Sequence, residues 1–329
     1  MAESKLKLIR IIQILKETDE QSPLTAPEIC KKLALYGITA ERKSVCRDIN
    51  VLIDAGYKIS LSGDQRKGYY MSSHEFDDWE LKVMMDAVLQ ARCITHEDTD
   101  ILKEKLLSQT SERGRKRLKR IITIENRNKS NVSYAKEFME ILIEAMYLGR
   151  KVIFQYTDRD KHMERVLRRE GYEYKVNPYT VVWQNGTYYL ICNLDKYDNL
   201  THFRMDRMEN LRICQDEVAR DPKDFLGDNP SIKIQEHVDT CINQFSGALI
   251  RLKLEYEGSD MNLLYDYAGE NIRLIEKENG IFLVTLDVQN SDGLINWLMQ
   301  CSQQFKVVEP IEVKEKLLSR LKKTLRKYE

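Results

Sequence analysis

The stretch Val176-Asn177-Pro178-Tyr179-Thr180-Val181-Val182-Trp183-Gln184-Asn185-Gly186-Thr187-Tyr188-Tyr189-Leu190-Ile191-Cys192-Asn193-Leu194 reads as two β-strands folded back on each other. Both runs are rich in β-branched and aromatic residues. Asn-Gly between such runs is the strongest short hairpin signal, because both residues tolerate the positive φ of a two-residue turn. Upstream, Val152, Phe154 and Tyr156 alternate with Ile153 and Gln155, a period of two. Before that, Ser133–Leu148 has a helical pattern and ends at Gly149. Downstream, Leu200–Met205 reads as another strand. Some five short strands after one helix predict a small, strongly bent sheet or barrel.

Within this region Pro178-Tyr179, Gly186-Thr187-Tyr188-Tyr189-Leu190 and His202-Phe203-Arg204-Met205-Asp206-Arg207-Met208 resemble the signatures of the WYL domain. The later signature, Phe-Arg-apolar-Asp-Arg-apolar, is met in full; in the first, Tyr188 stands where the family has tryptophan. The resemblance covers about 138–220 and implies a small Sm/SH3-like β-barrel that senses an effector, in some members a nucleic acid. The residues fit such a ligand. Arg204 and Arg207 offer guanidinium forks for phosphate. Tyr156, Tyr179, Tyr188, Tyr189 and Phe203, with His202 beside them, offer faces on which bases stack. The competing reading makes the tyrosines barrel core and pairs Asp206 with an arginine.

Toward the N-terminus, residues 1–72 read as three helices followed by a hairpin. Ser4 is placed to cap a first helix carrying Leu8, Ile11, Ile12 and Leu15. Thr25-Ala26-Pro27-Glu28 is a capping box with proline in the first turn, opening a helix expected to carry Ile29, Leu33 and Ala34 inward and to stop at Gly37. Thr39 is expected to cap a third helix, reaching Ala55 with Gly56 behind it. Tyr57–Ser62 and Gly68–Met71 are short strands about a polar turn. On the third helix Val45, Ile49 and Leu52 form one stripe, and Lys43, Arg47 and Asn50 fall on the opposite face, flanked by Arg42 and Ser44. A cationic, amide-bearing helix face suits a major groove, where arginine and lysine read guanine and asparagine reads adenine. Arg66 and Lys67 at the hairpin tip would hold phosphates. Ser44-Val45-Cys46-Arg47-Asp48-Ile49 with Leu52, Gly56 and Gly68-Tyr69 resembles the DNA-reading part of DeoR-type winged helix-turn-helix regulators.

Between these regions, 73–137 reads as an all-helical linker. Trp79, Val83, Ala87 and Ala91 are expected to form its buried stripe, Thr95 to cap a second helix with Ile101, Leu102 and Leu106, and Arg115–Ile124 to form a third. His96-Glu97-Asp98-Thr99-Asp100 reads as acids favoured by a helix N-terminus rather than as a metal site. After a connector over 221–246, residues 247–329 give the order β-α-β-β-α-β: strands at Ile250–Tyr256, Ile272–Glu276, Ile281–Val288 and Phe305–Glu309, helices at Ser259–Ala268 and Ser291–Ser302, and a final helix after Pro310. That order is ferredoxin-like and resembles the C-terminal extension that accompanies WYL domains.

The whole chain has 329 residues, with 52 lysines and arginines against 52 aspartates and glutamates. Neutrality excludes blanket attraction to nucleic acid, and the charge is segregated. Residues 1–72 hold 12 bases and 9 acids, 113–129 hold 8 bases and one acid, 247–313 hold 5 bases and 11 acids, and 314–329 hold 7 bases and 2 acids. Seven scattered cysteines with no C-x-x-C argue against a disulfide framework or zinc ribbon and for a reducing cytoplasm. No apolar run approaches the ~18 residues of a membrane span. Walker, Rossmann, G-x-S-x-G and H-E-x-x-H motifs are missing, and Cys192, His202 and Asp206 are the nearest approach to a nucleophilic triad. The expectation is therefore an α+β multidomain, non-catalytic, bacterial transcription regulator. It would need no cofactor or metal, bind double-stranded DNA as a homodimer, and sense a nucleotide or single-stranded nucleic acid. The alternative is an RNA- or single-strand-binding accessory protein of a defence system, using the 113–129 run.

Overall fold

Thr25 opens the second helix as its capping box requires: the Glu28 N–H donates to Thr25 Oγ1, and Glu28 Oε2 accepts from the Thr25 backbone N–H at 2.7 Å. This detail belongs to a computed structural model that describes residues 2–63, 68–121, 124–125, 128–130, 134–184, 186–257, 260–262, 265, 272–277 and 280–329. The chain forms two units, Met1–Ser133 and Tyr134–Glu329. The fold mixes α and β, with three antiparallel sheets among the described residues.

In the first unit, α1 (Ala2–Lys16), α2 (Ala26–Ala34) and α3 (Arg42–Asp54) precede a hairpin of β1 (Ile59–Leu61) and β2 (Tyr69–Met71). Ile11, Leu15, Ile29, Leu33, Val45, Ile49 and Leu52 make one buried core. Two expected caps are corrected. Ser4 lies inside α1, which begins at Ala2, and α3 starts at Arg42 with Glu41, not Thr39, at its N-cap. Gly68 has a steric reason: a Cβ there would come within 2.9 Å of Pro23 Cβ, where Leu24 and Tyr69 exchange backbone hydrogen bonds. The hairpin tip with Arg66 and Lys67 lies outside the described residues.

Three further helices follow: α4 (Asp78–Gln90), α5 (His96–Leu107) and α6 (Glu112–Arg120). The buried face of α4 is Leu81, Met85 and Leu89, while Trp79 and Val83 are 67% and 60% exposed. Both stripes have helical spacing, and packing against Leu107 and Leu118 selects the one that sequence reasoning passed over. On α5, capped by Thr95, the buried residues are Thr99 and Leu107 while Ile101 and Leu102 are exposed. The third helix begins at Glu112 with Ser111 as its cap, earlier than Arg115.

In the second unit α7 (Tyr134–Tyr147) leads into a six-stranded sheet: β3 (Arg150–Arg159), β4 (Arg165–Leu167), β5 (Glu173–Gln184), β6 (Thr187–Asn193), β7 (Leu200–Arg204) and β8 (Met208–Val218). Gln184 pairs with Thr187, so the β5–β6 hairpin turns in two residues, and Gly186 takes a φ of +76°. Val152, Phe154 and Tyr156 point into the core with Leu142 of α7, as their alternation predicts. β8 pairs with β3, and among the described residues no pairing joins β7 to β8, so hydrogen bonds leave the sheet open. The short helices α8 (Lys223–Leu226) and α9 (Pro230–Thr240) follow.

A second sheet is built from β9 (Ala248–Tyr256), β10 (Arg273–Glu276), β11 (Phe282–Asn290) and β12 (Phe305–Glu309), in the order β10-β11-β9-β12. Helices α10 (Asp292–Gln300) and α11 (Ile311–Leu325) pack on it through Leu294, Trp297, Leu298, Val313 and Leu317. Most of the helix expected over 259–268 lies outside the described residues. None of the described helices is long and apolar enough to cross a membrane.

Candidate functional site

The α3 helix buries Val45, Ile49 and Leu52 and leaves Arg42, Lys43, Arg47 and Asn50 exposed. This division follows directly from the 100° step of the helix. Thr39 is exposed but precedes the helix. Ser44 turns inward, where its hydroxyl accepts from Lys7 Nζ at 2.6 Å, and the same ammonium pairs with Asp48 at 2.8 Å. Ser44 and Asp48 thus tie α3 to α1, and the outward cationic row is carried by Arg42, Lys43 and Arg47.

The basic 113–129 run is largely consumed within its own unit. Arg115 pairs with Glu17 at 2.5 Å, Lys116 with Glu112 at 2.7 Å, Lys119 with Glu104 at 3.1 Å, and Arg117 with Asp78. Lys129 is buried and donates to the Val88 and Ala91 carbonyls at 3.1 and 2.9 Å, capping the C-terminal end of α4.

In the second unit, the strand period divides the expected effector residues between two faces. Leu190 opposes Phe203 on one face, and Tyr189 opposes Arg204 on the other, followed by Ile191 opposite His202. Phe203 enters an aromatic core with Phe154, Tyr156 and Tyr174, at ring separations of 5.0–5.2 Å. Tyr156 is also buried, and its hydroxyl accepts from the Arg204 backbone N–H at 3.0 Å. Tyr188 stands edge-on to Trp183 at 4.8 Å. Tyr179 packs on Phe225 and donates its hydroxyl hydrogen to the Arg220 carbonyl; burial pushes its pKa up. Tyr156 and Phe203 therefore serve as core residues in this arrangement and present no free stacking face.

The exposed chemistry is a cluster of arginines at the β7–β8 junction. Arg204 lies 6.0 Å over the Tyr189 ring and forks onto Asp206, at 3.0 and 2.7 Å. That hydrogen bond to Asp206 raises the Arg204 pKa further. Arg207 and Arg168 both approach Asp158, at 3.7 and 3.3 Å. Arg165 donates to the Asp206 carbonyl at 2.6 Å and reaches Glu209 at 3.7 Å. Four arginines, each between 37% and 49% exposed, thus share three carboxylates. The surplus of planar donors suits a phosphate-bearing ligand. Sequence reasoning missed Arg165 and Arg168; their signal is two arginines on a short edge strand and the turn after it.

Cys192, His202 and Asp206 do not converge as a triad. Cys192 faces the core, where burial raises its pKa, and its thiol lies 3.5 Å from the Thr201 carbonyl. His202 turns toward α9 instead, with its Nε2 2.8 Å from His237 Nε2. The spacing of His237 and Cys241, one helical turn apart, was the available signal for this second group.

Comparison with known proteins identifies a WYL domain at residues 137–213 and a WCX domain at 248–325. No curated protein matches the chain. Among solved structures it is similar to proteasome accessory factor B/C (PafBC) of Arthrobacter aurescens, at 16% identity and a TM-score of 0.30, over 98% of this chain and 49% of that one. The chain thus spans about half the length of PafBC. It is also similar to a structure described as a CRISPR Cas-related protein, at 12% identity and a TM-score of 0.42, over 78% of this chain and 75% of that one.

Proposed function

We propose that this chain is a cytoplasmic, non-catalytic transcription regulator that binds duplex DNA through α3 and senses a nucleotide or single-stranded nucleic acid at the WYL arginine cluster. The observation that carries the DNA-binding part is the exposed row Arg42, Lys43, Arg47 and Asn50, opposite the buried Val45, Ile49 and Leu52 and followed by a short hairpin. Three helices and a hairpin in this order support a winged helix-turn-helix over 1–72, of DeoR type by its α3 residues. The helices of 73–137 would transmit the effector's signal, and a homodimer would set two α3 helices about one turn of DNA apart.

The strand order β8-β3-β5-β6-β7, with a single 3-10 turn at Met205–Arg207 before β8, supports an Sm/SH3-like reading of 138–220. After the 221–246 connector, the order β10-β11-β9-β12 supports a ferredoxin-like reading of 247–329. The test is duplex binding to the protein's own upstream region by wild type, by Lys43→Ala/Arg47→Ala and by Arg204→Ala/Arg207→Ala. In this reading the first pair abolishes duplex binding and the second removes only the effector's influence.

A second reading, a single-strand- or RNA-binding accessory protein, is favoured by the exposed arginines at Arg165, Arg168, Arg204 and Arg207. It requires the opposite outcome, with nucleic-acid binding lost in the WYL pair and kept in the α3 pair. Ion pairs of Arg115, Lys116, Arg117 and Lys119 with Glu17, Glu112, Asp78 and Glu104, and the burial of Lys129, weaken the support that the 113–129 run lends it.

A further inference from the structure

His202 on β7, His237 on α9 and Cys241 at the C-cap of α9 bring two imidazole nitrogens and a thiol within 4.8 Å of one another. The two Nε2 atoms are 2.8 Å apart, and Cys241 Sγ lies 4.0 Å from His202 Nε2. His237 and Cys241 share one helix face through their spacing of four, and the β6–β7 register turns His202 toward them. We propose that these three side chains bind one zinc-class divalent ion, which fastens α9 to the WYL sheet.

The donor set fits the ion. Two imidazoles and a thiolate are borderline-to-soft ligands, the combination that selects zinc and its neighbours over magnesium or calcium. Tetrahedral coordination with zinc–nitrogen distances of about 2.0–2.1 Å needs nitrogens about 3.3 Å apart. Here the rings need to part by only about half an ångström. The fourth position would go to water or an amide oxygen.

The surrounding hydrogen bonds fix the tautomers of the ion-free site. The Gln289 amide donates to His237 Nδ1 at 2.9 Å, which leaves the His237 proton on Nε2, directed at His202 Nε2. His202 then carries its proton on Nδ1 and presents an Nε2 lone pair to the cluster. Its Nδ1 and Oε1 of the neighbouring Gln244 are both buried and neither makes a well-formed hydrogen bond, although Gln244 already lies close enough to interact with the imidazole. One is a donor and the other an acceptor. A small closure of the site would join them as the outer hydrogen bond that metal-binding histidines normally make.

On binding, the Cys241 thiol proton leaves to solvent. The His237 proton moves from Nε2 to Nδ1, in place of the Gln289 contact. A cleft of about 640 Å³, lined by His237, Thr240 and Gln289 and carrying Glu236 and Asp198 at its wall, reaches the His237 side of the group.

The test uses the full chain, stripped with chelator and titrated with Co²⁺ and then Zn²⁺, beside Cys241→Ser, His237→Gln and Gln244→Ala. The expected result is one Co²⁺ per chain with a thiolate-to-cobalt charge-transfer band, displaced by Zn²⁺, and a thermal midpoint that rises with the ion. Cys241→Ser abolishes the band, while Cys241→Ser and His237→Gln weaken Zn²⁺ binding by about 100-fold or more, and Gln244→Ala by about 10- to 100-fold. Unchanged circular dichroism of the ion-free variants shows that they are folded. Failure of the wild type to bind either ion, a band that survives Cys241→Ser, or unaltered affinity in the folded His237→Gln variant would each overturn the assignment.

Discussion

Arg204 and Asp206, separated by one residue, close a two-bond fork: Nε lies 3.0 Å from Oδ1 and Nη2 lies 2.7 Å from Oδ2. The carboxylate occupies the donors that a phosphate would use, so an anionic effector has to compete with it. Asp206→Asn should therefore bind a short single-stranded oligonucleotide more tightly than wild type, and Arg204→Ala more weakly. With Arg204 37% and Asp206 30% exposed, the stability change in Asp206→Asn should be about 1 kcal/mol or less. Fluorescence anisotropy with a labelled oligonucleotide measures both. Equal affinity in all three proteins would remove the effector role from this cluster.

Lys129 is a structural residue in a basic run. Its ammonium satisfies the Val88 and Ala91 carbonyls at the end of α4. Lys129→Met should cost about 1–3 kcal/mol of stability by stranding the buried Ala91 carbonyl, while the Val88 carbonyl keeps the Ala91 N–H, read as a fall in denaturation midpoint. Nucleic-acid affinity at saturating folded fraction should not change. A loss of affinity with unaltered stability would return Lys129 to the binding surface.

Gly68 tests the seating of the hairpin. Its Cβ would lie 2.9 Å from Pro23 Cβ and 3.1 Å from the Leu24 carbonyl carbon. Backbone cannot yield as a flexible side chain does, so Gly68→Ala should destabilise the first unit by about 1–3 kcal/mol. A thermal midpoint equal to wild type would show that the Pro23–Leu24 segment moves freely.

Acid sensitivity should trace partly to Asp195. The buried Asn177 amide donates to it at 2.8 Å, and Lys151 pairs with it at 2.7 Å; together they hold its pKa below the ordinary 3.8. A carboxylate depressed in the folded state stabilises above its unfolded pKa, and that contribution is lost as pH falls through the folded value. Asp195→Asn should thus be less stable than wild type at neutral pH, with the gap narrowing below about pH 4. Parallel stability curves down to low pH would contradict this.

Much of the fold is legible where the signal is local. The capping box at Thr25, the Asn185-Gly186 hairpin and the Val152-Phe154-Tyr156 alternation each depend on neighbours within a few residues, and each matches the structure. The α4 face is not legible, because Trp79, Val83 and Ala87 have the same spacing as Leu81, Met85 and Leu89. Only the partners Leu107 and Leu118 distinguish them. β8 escapes because irregular pairing with β3 breaks its alternation. The arginine cluster and the His202–His237–Cys241 group are assembled by tertiary contacts, so no sequence window contains either. Residue type identified Arg204 and Arg207, while the partners that restrain them, Asp158, Arg165 and Arg168, came only with the sheet.

Arg47 sits at the middle of the exposed cationic row of α3. The direct measurement is anisotropy of a labelled duplex from the protein's own upstream region, titrated with wild type and with Arg47→Ala over a range of salt. Loss of a base or phosphate contact at Arg47 should cost about 1–3 kcal/mol. Wild-type affinity should fall steeply with salt, and a phosphate role for Arg47 would lower that slope by about one. Equal affinities with the same salt dependence in both proteins would contradict α3 as the DNA-reading element.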